Sequence, residues 1–266
     1  MTKYIKIFLL HFQNLLEHKG RSFIWFLLSI LAPFIFLLFW KGASSGNNTI
    51  PAEWSYAVIS TYYFLLISAT AMLVSHIEGD IAIHDIQEGR LAMYITKPFP
   101  YYLMMFFEEI PWRIFQGFLG IILSLFLITV FKANFNLSQD FVTILLAILS
   151  AIMAYFISFT FKMILAFSAF WLTDISGFFQ LMQVIMLVFG GFLLPLELLP
   201  DVLHKISLFL PFAYIVYFPV TMLQGKYDLL TTLRILMTQI FWLLLLAFLY
   251  RKIWKAGLKK FTGVGQ

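Results

Sequence analysis

The chain has 266 residues, of which 62% are hydrophobic and only 12% charged, with 32 phenylalanines and a mean hydropathy of +0.91. A soluble globular chain carries roughly 25% charged residues, so this composition excludes a water-soluble domain and calls for one integral to a membrane. The lack of cysteine excludes a disulfide framework, a zinc ribbon and a thiol nucleophile, and the net charge of +5 is informative by position rather than as a total.

The first 21 residues, MTKYIKIFLLHFQNLLEHKGR, are too short to cross a bilayer but keep a helical stripe of Ile5, Phe8, Leu9, Phe12, Leu15 and Leu16. Lys3, Lys6, Gln13, Asn14 and Glu17 lie mostly away from that stripe. The pattern predicts an amphipathic helix lying flat on the cytoplasmic leaflet.

Six apolar runs come next, at about 22–40, 55–75, 114–131, 141–161, 177–194 and 231–250. Each approaches the ~20 residues needed to cross a hydrocarbon core of roughly 30 Å. The first run is too long to be a signal peptide's apolar core and lacks a small-residue cleavage site. With the N-terminus inside, thirteen of the 18 lysines and arginines fall on cytoplasmic segments, which predicts that both termini are cytoplasmic. In the fourth run, 21 residues after Asp140 at ~1.5 Å rise bring the helix about 31 Å inward. Lys162 then falls at the inner headgroups, where its stem is expected to snorkel.

The loop SHIEGDIAIHDIQEGRLAMYITKPFP, from Ser75 to Pro100, is the richest polar segment. His76, Glu78, Asp80, His84, Asp85 and Glu88 are metal-ligand types, yet their spacing matches no metal signature. Ile77, Ile81, Ile83 and Ile86 instead give a short helix an apolar side. Gly89 is suited to end it, and Lys97-Pro98 blocks further helix before the next run. Such a helix is a docking element for a cytoplasmic partner, with the apolar side as anchor and Glu88 or Arg90 at the rim.

Few polar residues lie in or near the spans. Glu109 and Arg113, four apart, are placed to form an ion pair at the inner interface; Glu108, Gln180 and Gln183 lie near or within the third and fifth spans. Asp174 reads as a turn residue in Thr173-Asp-Ile-Ser-Gly177. Asn47-Asn-Thr49 and Asn136-Leu-Ser138 match the glycosylation pattern and fall on outer loops. The basic tail Arg251, Lys252, Lys255, Lys259 and Lys260 is explained by anchoring to anionic lipid rather than by nucleic acid.

Between the fifth and sixth runs lies FGGFLLPLELLPDVLHKISLFLPFAYIVYFP, residues 189–219. Pro195 and Pro200 interrupt the apolar chain after Gly190-Gly191, and Asp201 is placed to cap a short helix of about Val202 to Leu210 before Pro211 stops it. Broken apolar backbone at membrane depth is tolerated only where protein buries it or it lines a cavity. The prediction is a pair of short re-entrant helices at the outer face.

Two motifs carry a family resemblance. Glu88-Gly-Arg-Leu-Ala-Met-Tyr-Ile-Thr-Lys-Pro98 resembles the Glu-Gly, leucine, tyrosine, Lys-Pro pattern in the first cytoplasmic loop of type-2 ABC exporter permeases. Gly190-Gly191, Pro195, Pro200, Pro211-Phe212, Tyr217, Pro219 and Gly225 resemble, in their order, the small and proline residues before the last span in a bacterial branch of that class.

The resemblance implies an all-α integral membrane protein. It comprises six transmembrane helices, an N-terminal interfacial helix (1–21), a cytoplasmic coupling loop (77–100) and an outer re-entrant segment (195–225), forming one permease domain over residues 1–266. Such a chain sits in the plasma membrane with a second permease, identical or related, and two cytoplasmic ATP-binding subunits. ATP and magnesium belong to those subunits, and no cofactor to this chain. The sequence contains no GxxxxGK[ST] phosphate loop and no convergent acid, base or nucleophile cluster, so no catalytic residue is assigned.

By the same resemblance, Ile81, Ile86, Glu88, Gly89 and Arg90 face the ATPase, and Gly190, Gly191, Pro195, Pro200, Pro211 and Phe212 form an outer gate. An amphipathic or hydrophobic substrate would leave the cytoplasm or inner leaflet by alternating access. Its path would be lined by the first, second and fifth spans, where Trp25, Phe26, Phe34, Tyr62, Tyr63, Phe64, Phe178 and Phe179 are available. A self-sufficient secondary transporter or channel is the alternative. It would be expected to show repeated halves and buried charge along a midplane path, and neither is evident.

Overall fold

The computed structural model describes residues 2–17, 19–44, 55–131 and 137–261. Among them every regular element is helical: α1 (Thr2–Glu17), α2 (Lys19–Ser44), α3 (Tyr56–Leu73), α4 (Glu78–Asp80), α5 (Leu91–Ile95), α6 (Tyr101–Phe131), α7 (Phe141–Ala166), α8 (Ser176–Phe189), α9 (Asp201–Phe209), α10 (Tyr217–Leu223) and α11 (Leu229–Leu258). Helix α4 runs on as a π-helical segment, Ile81–Gln87, and short 3₁₀ turns stand at Phe167–Phe170, Leu196–Leu198 and Pro211–Tyr214. Asn47–Thr49, Lys132, Asn136 and the side chain of Trp25 lie outside the described residues.

Helix boundaries follow local chemistry. Asp140 precedes α7 and accepts from the backbone N–H of Thr143 at 2.9 Å and its hydroxyl at 2.7 Å. Asp228 accepts from the N–H of Thr231 at the start of α11. Each satisfies a donor that the first helical turn leaves open, and these hydrogen bonds hold both carboxyls below the usual aspartate range. Asp201 does not cap α9 as expected: Pro200 stands at the cap position, and Asp201 is the first helical residue, with no side-chain cap bond. Proline's fixed φ lets the chain enter the helix there without one.

Helix α6 starts thirteen residues earlier than its apolar run. Polar Glu108, Glu109 and Arg113 hid that extension, and Pro111 inside the helix forfeits only the bond to the carbonyl four residues back. At 31 residues and ~1.5 Å each, α6 is about 46 Å long, so it outruns a hydrocarbon core of roughly 30 Å. Helix α8 differs in the other sense: its 14 residues reach about 21 Å.

Four described stretches, Tyr56–Gln87, Tyr101–Val130, Phe141–Phe170 and Leu229–Leu258, are long and apolar enough to cross a membrane. Asp201–Phe209 with Pro211–Leu223, bent by 71°, makes a fifth if the pair is one span. Helix α2 is 26 residues long.

Helix α3 is central, packed by α2, α6, α7 and α10, while α11 runs along α7 and α1 lies against α6. The larger core gathers Tyr62, Tyr63, Phe64, Tyr217 and Phe218, and a second core gathers Ile81, Ile86, Leu91, Phe159 and Phe167. In α1, Leu15 is buried and Tyr4 stacks on Phe107 at 5.2 Å. Ile5, Leu9, Phe12 and Leu16 form an exposed apolar stripe beside that packed face, and Lys6, Gln13 and Glu17 lie on the remaining side.

Candidate functional site

The turn after α3 is built around two buried charges on α6. Arg113 lies four residues, one helical turn, after Glu109 and pairs with its Oε1 at 3.2 Å. Glu109 also accepts from the Ser75 hydroxyl at 2.8 Å, the His76 backbone N–H at 3.0 Å and the Tyr155 hydroxyl at 3.2 Å. The Arg113 Nη1 donates to the Val74 carbonyl at 2.7 Å, at the C-terminal end of α3. That end exposes unpaired carbonyls and the negative pole of the helix, so a cation there is doubly favoured. On α7, Ser158 accepts from the Ser75 N–H at 2.9 Å.

The expected pair is therefore formed, but both side chains are only 4% exposed. It sits inside the protein and joins the loop to two helices, whereas the sequence placed the pair at the inner interface. Lys162 is likewise corrected. It does not snorkel to headgroups, because it is buried and its ammonium pairs with the Glu78 carboxylate in the first turn of α4. A lysine at that depth needs a counter-charge, and the loop after α3 supplies it.

The helical hairpin that follows the turn, residues 77–90, also faces its apolar side the other way from the sequence expectation. Ile81 and Ile86 are buried, together with Ala82 and the carboxylate of Asp85. The wider π-helical turn puts residues 81, 82, 85 and 86 on one side, packed near the Phe167–Phe170 turn. These isoleucines anchor the hairpin to its own chain and are not available as a partner's anchor. Asp85 accepts from the Tyr101 hydroxyl at 2.5 Å and from the Nε of Arg90 at 2.6 Å.

Arg90 is thus held by Asp85, with its guanidinium 5.8 Å from the ring centre of Tyr94. Gly89 carries φ +83°, a left-handed turn that glycine adopts without strain. Glu88 is exposed and pairs with His84 at 2.8 Å. Asp80, Ile83, His84 and Glu88 are what the hairpin shows to its surroundings. Among the described residues, no group of three or more His, Asp or Glu side chains is arranged to hold a metal ion.

The broken segment after α8 is tied to α3. Tyr62 donates to the Gly191 carbonyl at 2.6 Å and Tyr63 to the Leu193 carbonyl at 2.8 Å, while the Trp40 indole donates to Tyr63 at 3.1 Å. Gly191 has φ +80°, and a Cβ there would lie 2.8 Å from the Tyr62 hydroxyl. A Cβ on Gly190 would meet the Met186 carbonyl at 2.6 Å.

Pro195 accepts the bond that closes the Leu196–Leu198 turn, and Pro211 opens the next one. Phe212 is buried edge-on against Phe161 at 5.1 Å. Glu197 pairs with Lys226 at 2.5 Å. Gln239 on α11 donates to the carbonyls of Ser150 and Tyr214, bridging α7 to the broken segment. Gly190, Gly191 and Phe212 thus pack into this chain's own core, while Pro200 lies exposed on the rim.

The aromatic residues expected along a pathway divide. Phe26, Tyr62, Tyr63 and Phe64 are buried within this chain's core, so they pack its helices and do not line an open face; Phe34, Phe178 and Phe179 are less enclosed. On α8, Gln180, Val184 and Leu187 are exposed. Asp174 is the turn residue expected, its carboxylate accepting from the N–H and hydroxyl of Ser176. The E-x-x-x-R spacing could reveal the Glu109–Arg113 pair. Nothing in the sequence marks Ser75, His76 or Tyr155 as its surroundings, because they come from other elements.

The described residues thus make a chain of long apolar helices with a polar hairpin after α3 and a broken segment after α8. The family model of the ABC-2 family transporter protein matches residues 24–265, and the chain belongs to that family. Among curated proteins and solved structures, none matches it. As a family member the chain is the multi-pass membrane subunit of an ABC transporter, and membership implies work with an ABC ATPase subunit.

Proposed function

We propose that this chain is the permease of an ATP-driven exporter. It would pair with a second permease and two cytoplasmic ATPase subunits in the plasma membrane, with both termini inside. ATP and magnesium would be bound by the ATPase subunits. The observation that carries this reading is the family match over residues 24–265; the distribution of lysine and arginine supports the orientation.

In this reading the chain crosses six times: α2, α3, α6, α7, then α8 together with the turn after it, and α11. Segment 195–225 dips into the outer leaflet and, with Gly190 and Gly191 before it, forms an outer gate, and α1 lies on the inner leaflet with Ile5, Leu9, Phe12 and Leu16 in lipid. The hairpin at 77–90 receives the ATPase movement through its exposed edge, Asp80, Ile83, His84 and Glu88. Gly89 sets the turn, and Arg90 is held in place by Asp85.

The substrate is amphipathic or hydrophobic. Its path is assigned to the outward side of α8, because Gln180 and Gln183 are amides that lipid cannot satisfy at membrane depth. A tagged chain purified from its own cells is expected to bring down an ABC ATPase, and export from reconstituted vesicles is expected to stop without ATP. Purification without any ATPase, with transport intact after ATP depletion, would point to a secondary transporter instead.

A further inference from the structure

Two carboxylates on the hairpin are withdrawn from water, and each meets a polar group from a long helix. Glu78 meets Lys162 of α7, and Asp85 meets Tyr101 of α6. Between them the turn residues Ser75 and His76 are held by Glu109 of α6 and Ser158 of α7. A cross-link between the two helices completes the frame, since the hydroxyls of Tyr102 on α6 and Thr160 on α7 lie 2.8 Å apart. Gln87, at the hairpin's far end, donates to the Thr173 carbonyl at 2.9 Å, just beyond the end of α7.

Separating buried opposite charges leaves each uncompensated, so such joints resist bending far more than an apolar contact that slides. By contrast, the direct connection from hairpin to α3 is four residues without helix, 74–77. The stiff route from hairpin to membrane is therefore sideways, through ions and hydroxyls, and not along the chain.

We infer that Lys162 is a positioning residue that locks the hairpin to α7, so that a push on the hairpin displaces that helix with it. This rests on the reading of the hairpin as the ATPase contact, and it assigns that contact its route into the membrane.

The test uses spin labels, and because the chain has no cysteine only introduced thiols in it take a label. Labels at exposed positions 83 on the hairpin, 152 on α7 and 187 on α8 report three distances by pulsed electron resonance. In the full chain in lipid nanodiscs, the 83–152 distance is expected to be single and narrow. Lys162→Met is expected to broaden it at least two-fold, whereas Lys162→Arg keeps it narrow. A broad distribution in the native chain, or a narrow one in Lys162→Met, overturns the lock.

In the complex with its ATPase, ATP binding is expected to shift 83–187 and 152–187 together while leaving 83–152 unchanged. With Lys162→Met, 83–187 shifts and 152–187 does not. A change in 83–152 on ATP binding in the native complex, or no shift in either distance to 187, overturns the route. Failure to recover any ATPase removes the exporter reading alone, because the nanodisc measurement decides the lock without it.

Discussion

Gly191 is a residue at which the fold leaves no room for a side chain. Its φ of +80° and the 2.8 Å between an added methyl and the Tyr62 hydroxyl combine left-handed backbone with a contact that cannot exist. Gly191→Ala is expected to cost about 1–3 kcal/mol, read as a lower unfolding temperature in detergent, with Gly20→Ala, which meets nothing within 4 Å, as the unaffected control. Glu109 tests charge compensation. Glu109→Gln leaves Arg113 buried beside a neutral amide, an expected loss of about 3 kcal/mol or more. The double variant Glu109→Gln, Arg113→Met should recover a large part of that loss in the same assay, because no buried charge is then stranded. At this scale the sequence was partly legible. The four-residue spacing of Glu109 and Arg113 announced a pair, but that Ser75, His76 and Tyr155 would close around it depends on three elements meeting.

The one helix cap read from the sequence, at Asp201, does not form, while Asp140 and Asp228, each with a threonine three residues on, cap α7 and α11 unannounced. Their depressed carboxyl pKa values fix the sign of the pH effect. The bonds stabilise the first turns above the ordinary aspartate range, and the contribution is lost as pH falls through the lowered folded value. Acidification toward about pH 3 is therefore expected to lower hydrogen-exchange protection at the Thr143 and Thr231 amides ahead of mid-helix amides. In Asp140→Ala and Asp228→Ala protection at those amides should already be low at neutral pH. The π-helical widening at 81–87 was not legible. The isoleucines fit an ordinary amphipathic turn, and only packing reveals that Asp85 lies on their side. Helix α8 was over-read, because apolar residues continue past Gly190 although the helix does not.

For the whole molecule, helices of unequal length meet in one sheet of lipid. At about 45 Å for 30 residues, α7 with its 3₁₀ extension and α11 exceed the hydrocarbon thickness, so length is left over for the second core around Ile81 and Phe167. Membrane class and family were legible from composition and two motifs. The inward turn of the hairpin's apolar side was not, since periodicity tells which residues share a side and not what covers it.

The tyrosine pair on α3 has a consequence for electrical tightness. Tyr62 and Tyr63 occupy two carbonyls that the chain presents just beyond α8, and a carbonyl at membrane depth with no donor draws in water. In the double variant Tyr62→Phe, Tyr63→Phe, both acceptors lose these donors while the rings stay. Vesicles carrying that variant should dissipate an imposed proton gradient faster than native ones in the absence of ATP, read with a trapped pH dye. An unchanged leak would mean that neighbouring packing alone keeps the barrier dry. In the proposed topology the two phenols would serve as insulation, letting the chain break its helix inside the membrane without opening a wire across it.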